Sequence, residues 1–277
     1  MLRPALLLLL GLSACAHTST AEEVEPLFLT VENGSAVQAM AASEKLVAVY
    51  DDAHLARLEK ALEAKPARTL QLISELSSEG SAKLLLSHLS YLLESKDPEV
   101  ARMAAVAAGL RRLKPATAAL LHHPESPAVV RALGRIWEQE LDGGPLPRQE
   151  EIDRLTVLAV VHRQAMSANP TVESCEAMLL VMTGAEMADF LNKHAGDKFH
   201  ARRLCDEAVR RPGFDADKGL RVHEALLKNP DLVLVADILK SSPFPLHEDL
   251  VRGFLNDDRS VGEGARLKDV AEARLRR

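Results

Sequence analysis

The stretch Asp97-Pro98-Glu99-Val100-Ala101-Arg102 returns 29 positions later as Ser126-Pro127-Ala128-Val129-Val130-Arg131. Each copy joins a residue that can cap a helix to a proline suited to the first helical position, followed by an apolar face. Asn229-Pro230-Asp231-Leu232 has the same form, and Asp258-Arg259-Ser260-Val261 follows it by the same interval. Asn169-Pro170-Thr171-Val172 reads as a further copy, with one intervening repeat near Asp197 to Cys205, and upstream Pro66 precedes Pro98 by 32 positions. A period near 30 residues holds two short helices and a turn. Such a unit cannot bury its apolar faces alone, so the chain must stack each unit on the next.

Between these starts, apolar residues recur at helical spacing in Asp51 to Leu62, Pro66 to Leu76, Ser81 to Leu93 and Ile152 to Met166. Aromatic residues make up only 3% of the chain, which favours helices of Ala and Leu over a sheet. Leu27 to Val31 is the one piece that reads as briefly extended, and Gly143-Gly-Pro-Leu-Pro147 as a longer loop or a boundary between two sub-stacks. The expected fold is all-α, with antiparallel helix pairs numbering about six to seven. Residues 35–142 form an N-terminal stack, and residues 148–277 a C-terminal stack continuous with it.

The Asp-Pro-x-Val pattern with Arg close behind, an Ala-rich helix, and then Gly109-Leu110 or Leu133-Gly134 resembles HEAT-like repeats. The match is good from Asp97 to Gly134 and diffuse elsewhere. The resemblance implies a right-handed α-solenoid, curved, with faces that bind other proteins.

The first fifteen residues carry an address. Arg3 supplies a positive start, and Leu6 to Leu12 form an apolar run interrupted by Gly11. A bilayer span needs about 20 apolar residues, so this run reads as a signal segment. It closes on Leu12-Ser13-Ala14-Cys15, which resembles the lipobox of bacterial lipoproteins. The resemblance implies that residues 1–14 are removed and that the Cys15 thiol is alkylated with diacylglycerol. Residues 15–34 would then be a lipidated tether. Ala16 follows the cysteine where an Asp is associated with inner-membrane retention, so the outer membrane, facing the periplasm, is the expected place.

Chemistry is sparse by comparison. A zinc-protease helix needs a second His four positions after the first, but His223-Glu224 is followed by Leu227 and His247-Glu248 by Val251. Asp215-Ala-Asp217-Lys-Gly219 opens like a calcium loop, yet Leu226 stands where the bidentate Glu belongs. A helix cap after Pro212-Gly213 accounts for it better. His194, His200 and Cys205, with Cys175 one repeat earlier, form the densest metal-capable set, at spacings that match no tight ligand pair. His122-His123-Pro124 reads as an exposed turn. The pairs Arg111-Arg112, Arg202-Arg203 and Arg210-Arg211 read as solvated faces near helix ends. Cys175 and Cys205 either form a disulfide in an oxidising periplasm or pack as small buried thiols.

Lys and Arg number 34 against 40 Asp and Glu, a net charge of −6, the wrong sign for a nucleic-acid binder. The expected function is a non-enzymatic envelope lipoprotein whose solenoid is a scaffold or adaptor for partner proteins. It would hold the membrane through its lipidated N-terminus and need no catalytic residue, metal, cofactor or small-molecule substrate. Two alternatives stand beside it: an envelope enzyme with a site in the solenoid groove, and a structural or cell-contact lipoprotein displayed on the outer surface.

Overall fold

The structure, a computed structural model, describes residues 20–194, 202–262 and 264–276. Its first half runs α1 (Ala21–Asn33), α2 (Ala36–Val49), α3 (Leu55–Ala64), α4 (Pro66–Glu75), α5 (Glu79–Leu93), α6 (Pro98–Leu110), α7 (Thr117–Leu121) and α8 (Pro127–Ile136). The second continues with α9 (Arg148–Ala165), α10 (Val172–Val181), α11 (Gly184–His194), α12 (Arg202–Val209), α13 (Ala216–Leu226), α14 (Leu232–Ser241), α15 (Glu248–Arg252) and α16 (Leu267–Leu275). The described strands are β1 (Ser260–Gly262) and β2 (Ala265–Arg266), an antiparallel hairpin that pairs Ser260 with Arg266. The fold is all-α, built from adjacent packed helix pairs.

One layer is continuous: α4 packs on α6, α6 on α8, α8 on α10, and α10 on α12. Partner helices lie against it, with α3 touching α5 and α5 touching α7. The apolar core runs between, through wholly buried residues such as Leu58, Leu70, Leu85, Leu133 and Met178. The loop around Gly143 joins the halves. Gln139 N–H donates to Leu180 O at 2.9 Å, and Gly184 N–H donates to Leu141 O at 3.2 Å.

The glycines of the repeat set how closely this layer packs. A Cβ on Gly109 would stand 2.8 Å from Ala132 Cα, and one on Gly134 only 2.5 Å from Ala177 Cα. Both contacts are backbone against backbone at a helix crossing, so a side chain on either glycine would push two helices apart.

Several helix starts fall where the repeat places them. Asp97 accepts from Glu99 N–H at 2.9 Å to open α6, with Pro98 in the first turn, and Pro66 and Pro127 stand in the first turns of α4 and α8 without a side-chain cap bond. Two starts are displaced. Thr171 and Asp231, not Asn169 and Asn229, cap α10 and α14, accepting from Ser174 N–H and Leu234 N–H. Asp258 to Val261 opens no helix. Gly262 and Gly264, at φ of 100° and 78°, turn this segment into the β1–β2 hairpin. Toward the N-terminus, the expected tether and extended piece are a helix from Ala21 onward. Val24, Phe28 and Val31 share one buried face of α1, and a Thr20–Glu23 capping box closes its start.

Candidate functional site

The face of the continuous layer turned away from its partner helices is where the repeat's arginines gather. Arg102, Val106 and Leu110 follow one another at i+4 along α6, and Arg131 and Arg135 do so along α8. With Gly109, Pro127, Ala128, Ala132, Glu173 of α10 and Pro212 beyond α12, they line a cavity of about 550 Å³. A second cavity of about 540 Å³ lies between α4 and α6 and shares Arg102, Val106 and Leu110 with the first. The two make one trough across four helices, α4, α6, α8 and α10.

Counting from the observed caps, Arg102 lies five positions after Asp97 and Arg131 five after Ser126. The same position after Thr171 is Glu176. This carboxylate is 1% exposed, and three guanidiniums converge on it. Arg131 Nε lies 3.1 Å away, Arg135 Nη2 3.5 Å and Arg211 Nη1 3.0 Å. Arg211 also donates to Glu173 at 2.9 Å. Burial pushes the Glu173 carboxyl up, but its bond to Arg211 and the nearby Arg131 charge outweigh that and hold it below the usual carboxylate range. Sequence reasoning missed Glu176 because counting from Asn169 puts Ser174 at this position. Capping by Thr171, followed three residues later by a Ser side chain that returns the bond, was the signal that could have found it.

The basic pairs read as solvated faces are used differently. Arg111 reaches Ile73 O at 3.2 Å and Ser78 O at 2.8 Å, closing the end of α4. Arg68 does the same for α1, donating to Val31, Glu32 and Gly34 carbonyls at 3.1, 3.2 and 2.7 Å. Arg210 donates to Ser241 O at 2.7 Å. Lys218, wholly buried, donates to Leu180 O at 2.7 Å and caps α10. Cations placed against these carbonyl ends complement the helix dipole. Arg112 and Arg203 fit the surface reading better, pairing with Glu138 and Asp231 from half-exposed positions.

A second polar cluster has the outline of a catalytic triad. His223 Nε2 lies 3.0 Å from Asp206 Oδ1, and its Nδ1 lies 2.8 Å from Ser242 Oγ. His223 is wholly buried, however, with the Phe244 ring edge-on at 5.0 Å, and Ser242 is also bonded to Phe244 N–H. The cluster ties α12, α13 and the end of α14 together under cover of an aromatic ring. A catalytic serine needs an open face for its substrate, and this one has none.

Cys15 and His200 lie outside the described residues. Cys175 on α10 and Cys205 on α12 are buried thiols on helices that pack together. Contact with the Cys175 sulfur, together with burial, pushes the Cys205 thiol well above its ordinary range. His194 stacks on the Phe190 ring at 4.9 Å, and among the described residues no three His, Cys, Asp or Glu side chains form a metal-holding group. Asp215 caps α13, accepting from Lys218 N–H at 2.8 Å, which accounts for the calcium-like sequence. Among the described residues no helix is long and apolar enough to cross a membrane. No family model, curated protein or solved structure matches the chain.

Proposed function

We propose that the protein is a lipid-anchored lipoprotein of the bacterial envelope whose helical stack is a scaffold for partner proteins, held at the outer membrane and facing the periplasm. One observation carries the scaffold half: the trough along α4, α6, α8 and α10 joins apolar side chains to arginines on closely packed helices. Its carboxylates and guanidiniums largely neutralise one another in pairs, an arrangement suited to binding and poor for proton transfer. The Leu12-Ser13-Ala14-Cys15 sequence supports the anchor.

Two measurements in cells test the reading. Radiolabelled fatty acid should label the protein and leave Cys15→Ser unlabelled. A photocrosslinking residue at Ala128, in the trough, should capture discrete protein partners, whereas one at Tyr91, exposed on α5, should not. Labelling of Cys15→Ser would remove the anchor. Capture of protein from neither position would remove the scaffold, and capture from Tyr91 alone would move it to another face.

A further inference from the structure

We infer that the trough takes an acidic peptide segment of a partner protein, a carboxylate seated on Arg131 and Arg135 and an apolar side chain beside it on Val106 and Leu110. This deepens the scaffold reading above and rests on it.

The first observation is a charge imbalance. Arg131, Arg135 and Arg211 face Glu173 and Glu176, three positive groups against two negative, in a chain whose overall charge is −6. Arg131 meets Glu176 through Nε, and Arg135 reaches the same carboxylate only at 3.5 Å. A guanidinium has five N–H donors, so donors on both side chains remain for a ligand. Arg131 and Arg135 are one helical turn apart on α8, and both line the cavity. A carboxylate placed between them would receive hydrogen bonds from two preorganised forks, the geometry at which Arg excels.

Across the cavity, Arg102 pairs with Glu99 of its own helix, at 2.6 Å, with both side chains about half exposed. An exposed pair of this kind is screened and readily exchanged for another carboxylate. The wall between is apolar. Leu110 is 52% exposed, and Val106, Ala128 and Pro127 continue the apolar surface.

The size and the charge together identify the class of ligand. One uncompensated positive charge suits a single carboxylate. A phosphate-rich polymer or an anionic membrane surface would instead meet Glu75, Glu99 and Glu173 along the same walls. A cavity near 550 Å³ admits a few side chains, and its continuation between α4 and α6 gives a path across helices spaced about 8–10 Å apart. At about 3.3 Å per residue, an extended peptide of roughly six to eight residues spans such a path.

The experiment is a selection from phage-displayed random octapeptides on the detergent-solubilised, lipidated full chain. The expected result is enrichment of Asp or Glu next to Leu, Ile or Phe. A selected peptide should bind at least tenfold more weakly after its acids are changed to amides, and tenfold more weakly to Arg131→Gln. Because Arg131 also supports Glu176, a second variant is needed that touches no buried charge. Leu110→Asp serves, since Leu110 is about half exposed and touches no buried charge, and the same loss is expected there with the helical circular dichroism unchanged.

Selection of basic or uncharged peptides, no selection at all, or equal binding by Leu110→Asp would overturn the proposal. So would binding to phosphatidylglycerol vesicles that both variants abolish, which would assign the trough to lipid headgroups. If crosslinked partners were captured from Tyr91 and not from Ala128, this inference would fail while a scaffold working through another face survived.

Discussion

At the scale of single residues, the chain places its charges where only partners make them tolerable. Glu176 is the clearest case, because its carboxylate is buried and the three arginines around it are not. Glu176→Gln should leave Arg131 and Arg135 uncompensated, Arg211 keeping Glu173, and lower the unfolding free energy by about 2–3 kcal/mol, less than for a fully buried pair because water can reach them. Urea denaturation reads this directly, and an unchanged midpoint would mean the cluster contributes nothing to stability. Lys218 offers a test by pH. Burial pulls its ammonium from the ordinary 10.5 down to about 8. Between those two values the unfolded chain holds a proton that the folded chain has released, so stability rises with pH across that window. The gain is at most about 3 kcal/mol, and Lys218→Met should flatten the slope relative to the unchanged protein. Identical slopes in the two would show that the lysine is not the titrating group.

At the scale of elements, what matters is how tightly the helices of one layer meet. Gly134→Ala gains about 1 kcal/mol in helix propensity, but its new methyl would meet the Ala177 backbone at 2.5 Å. Overpacking of this kind costs about 1–3 kcal/mol, and a net loss of stability is expected. Gly144→Ala is the control, since nothing lies within 4 Å of the added carbon. Equal thermal midpoints for the two variants would refute the close-packing account. The helices at Asp97 and Ser126 were legible because a cap and a proline coincide within two residues, a wholly local signal. At Asn169 and Asn229 the same signal misplaces the start by two residues. Thr171 and Asp231 hold side-chain oxygens against N–H groups one turn into the helix, and that bond decides which residue is the cap. The error at Asn169 hid Glu176. The contacts of Arg68, Arg111 and Lys218 join residues more than 30 apart in sequence, and no local pattern announces them.

At the scale of the whole molecule, the stack brings Cys175 and Cys205 onto adjoining helices, as their 30-residue separation suggested. We expect exported protein to carry them as a disulfide, formed with loss of two hydrogens to an external thiol oxidant. Closing a loop of that length is worth roughly 3–4 kcal/mol in the chain-entropy model. Non-reducing mass spectrometry after alkylation under denaturing conditions checks this, and two alkylated thiols would leave the pair as packing residues. All-α class and paired helices were readable from the 29-residue period. The trough was not, because it depends on which side of each helix the next unit covers.

The carbonyl-closing cations also impose an order in time. The end of α1 is completed by Arg68, the end of α4 by Arg111, and the end of α10 by Lys218, each well downstream of the helix it closes. A chain made N-terminus first therefore exposes each of these helix ends until the next unit or two have emerged. These ends are finished in sequence, like courses of brick each locked by the one laid above. A truncation after any of these helices would remove the cation that closes it. Lengthening the stack by duplication would, at these joints, require the new unit to bring its own.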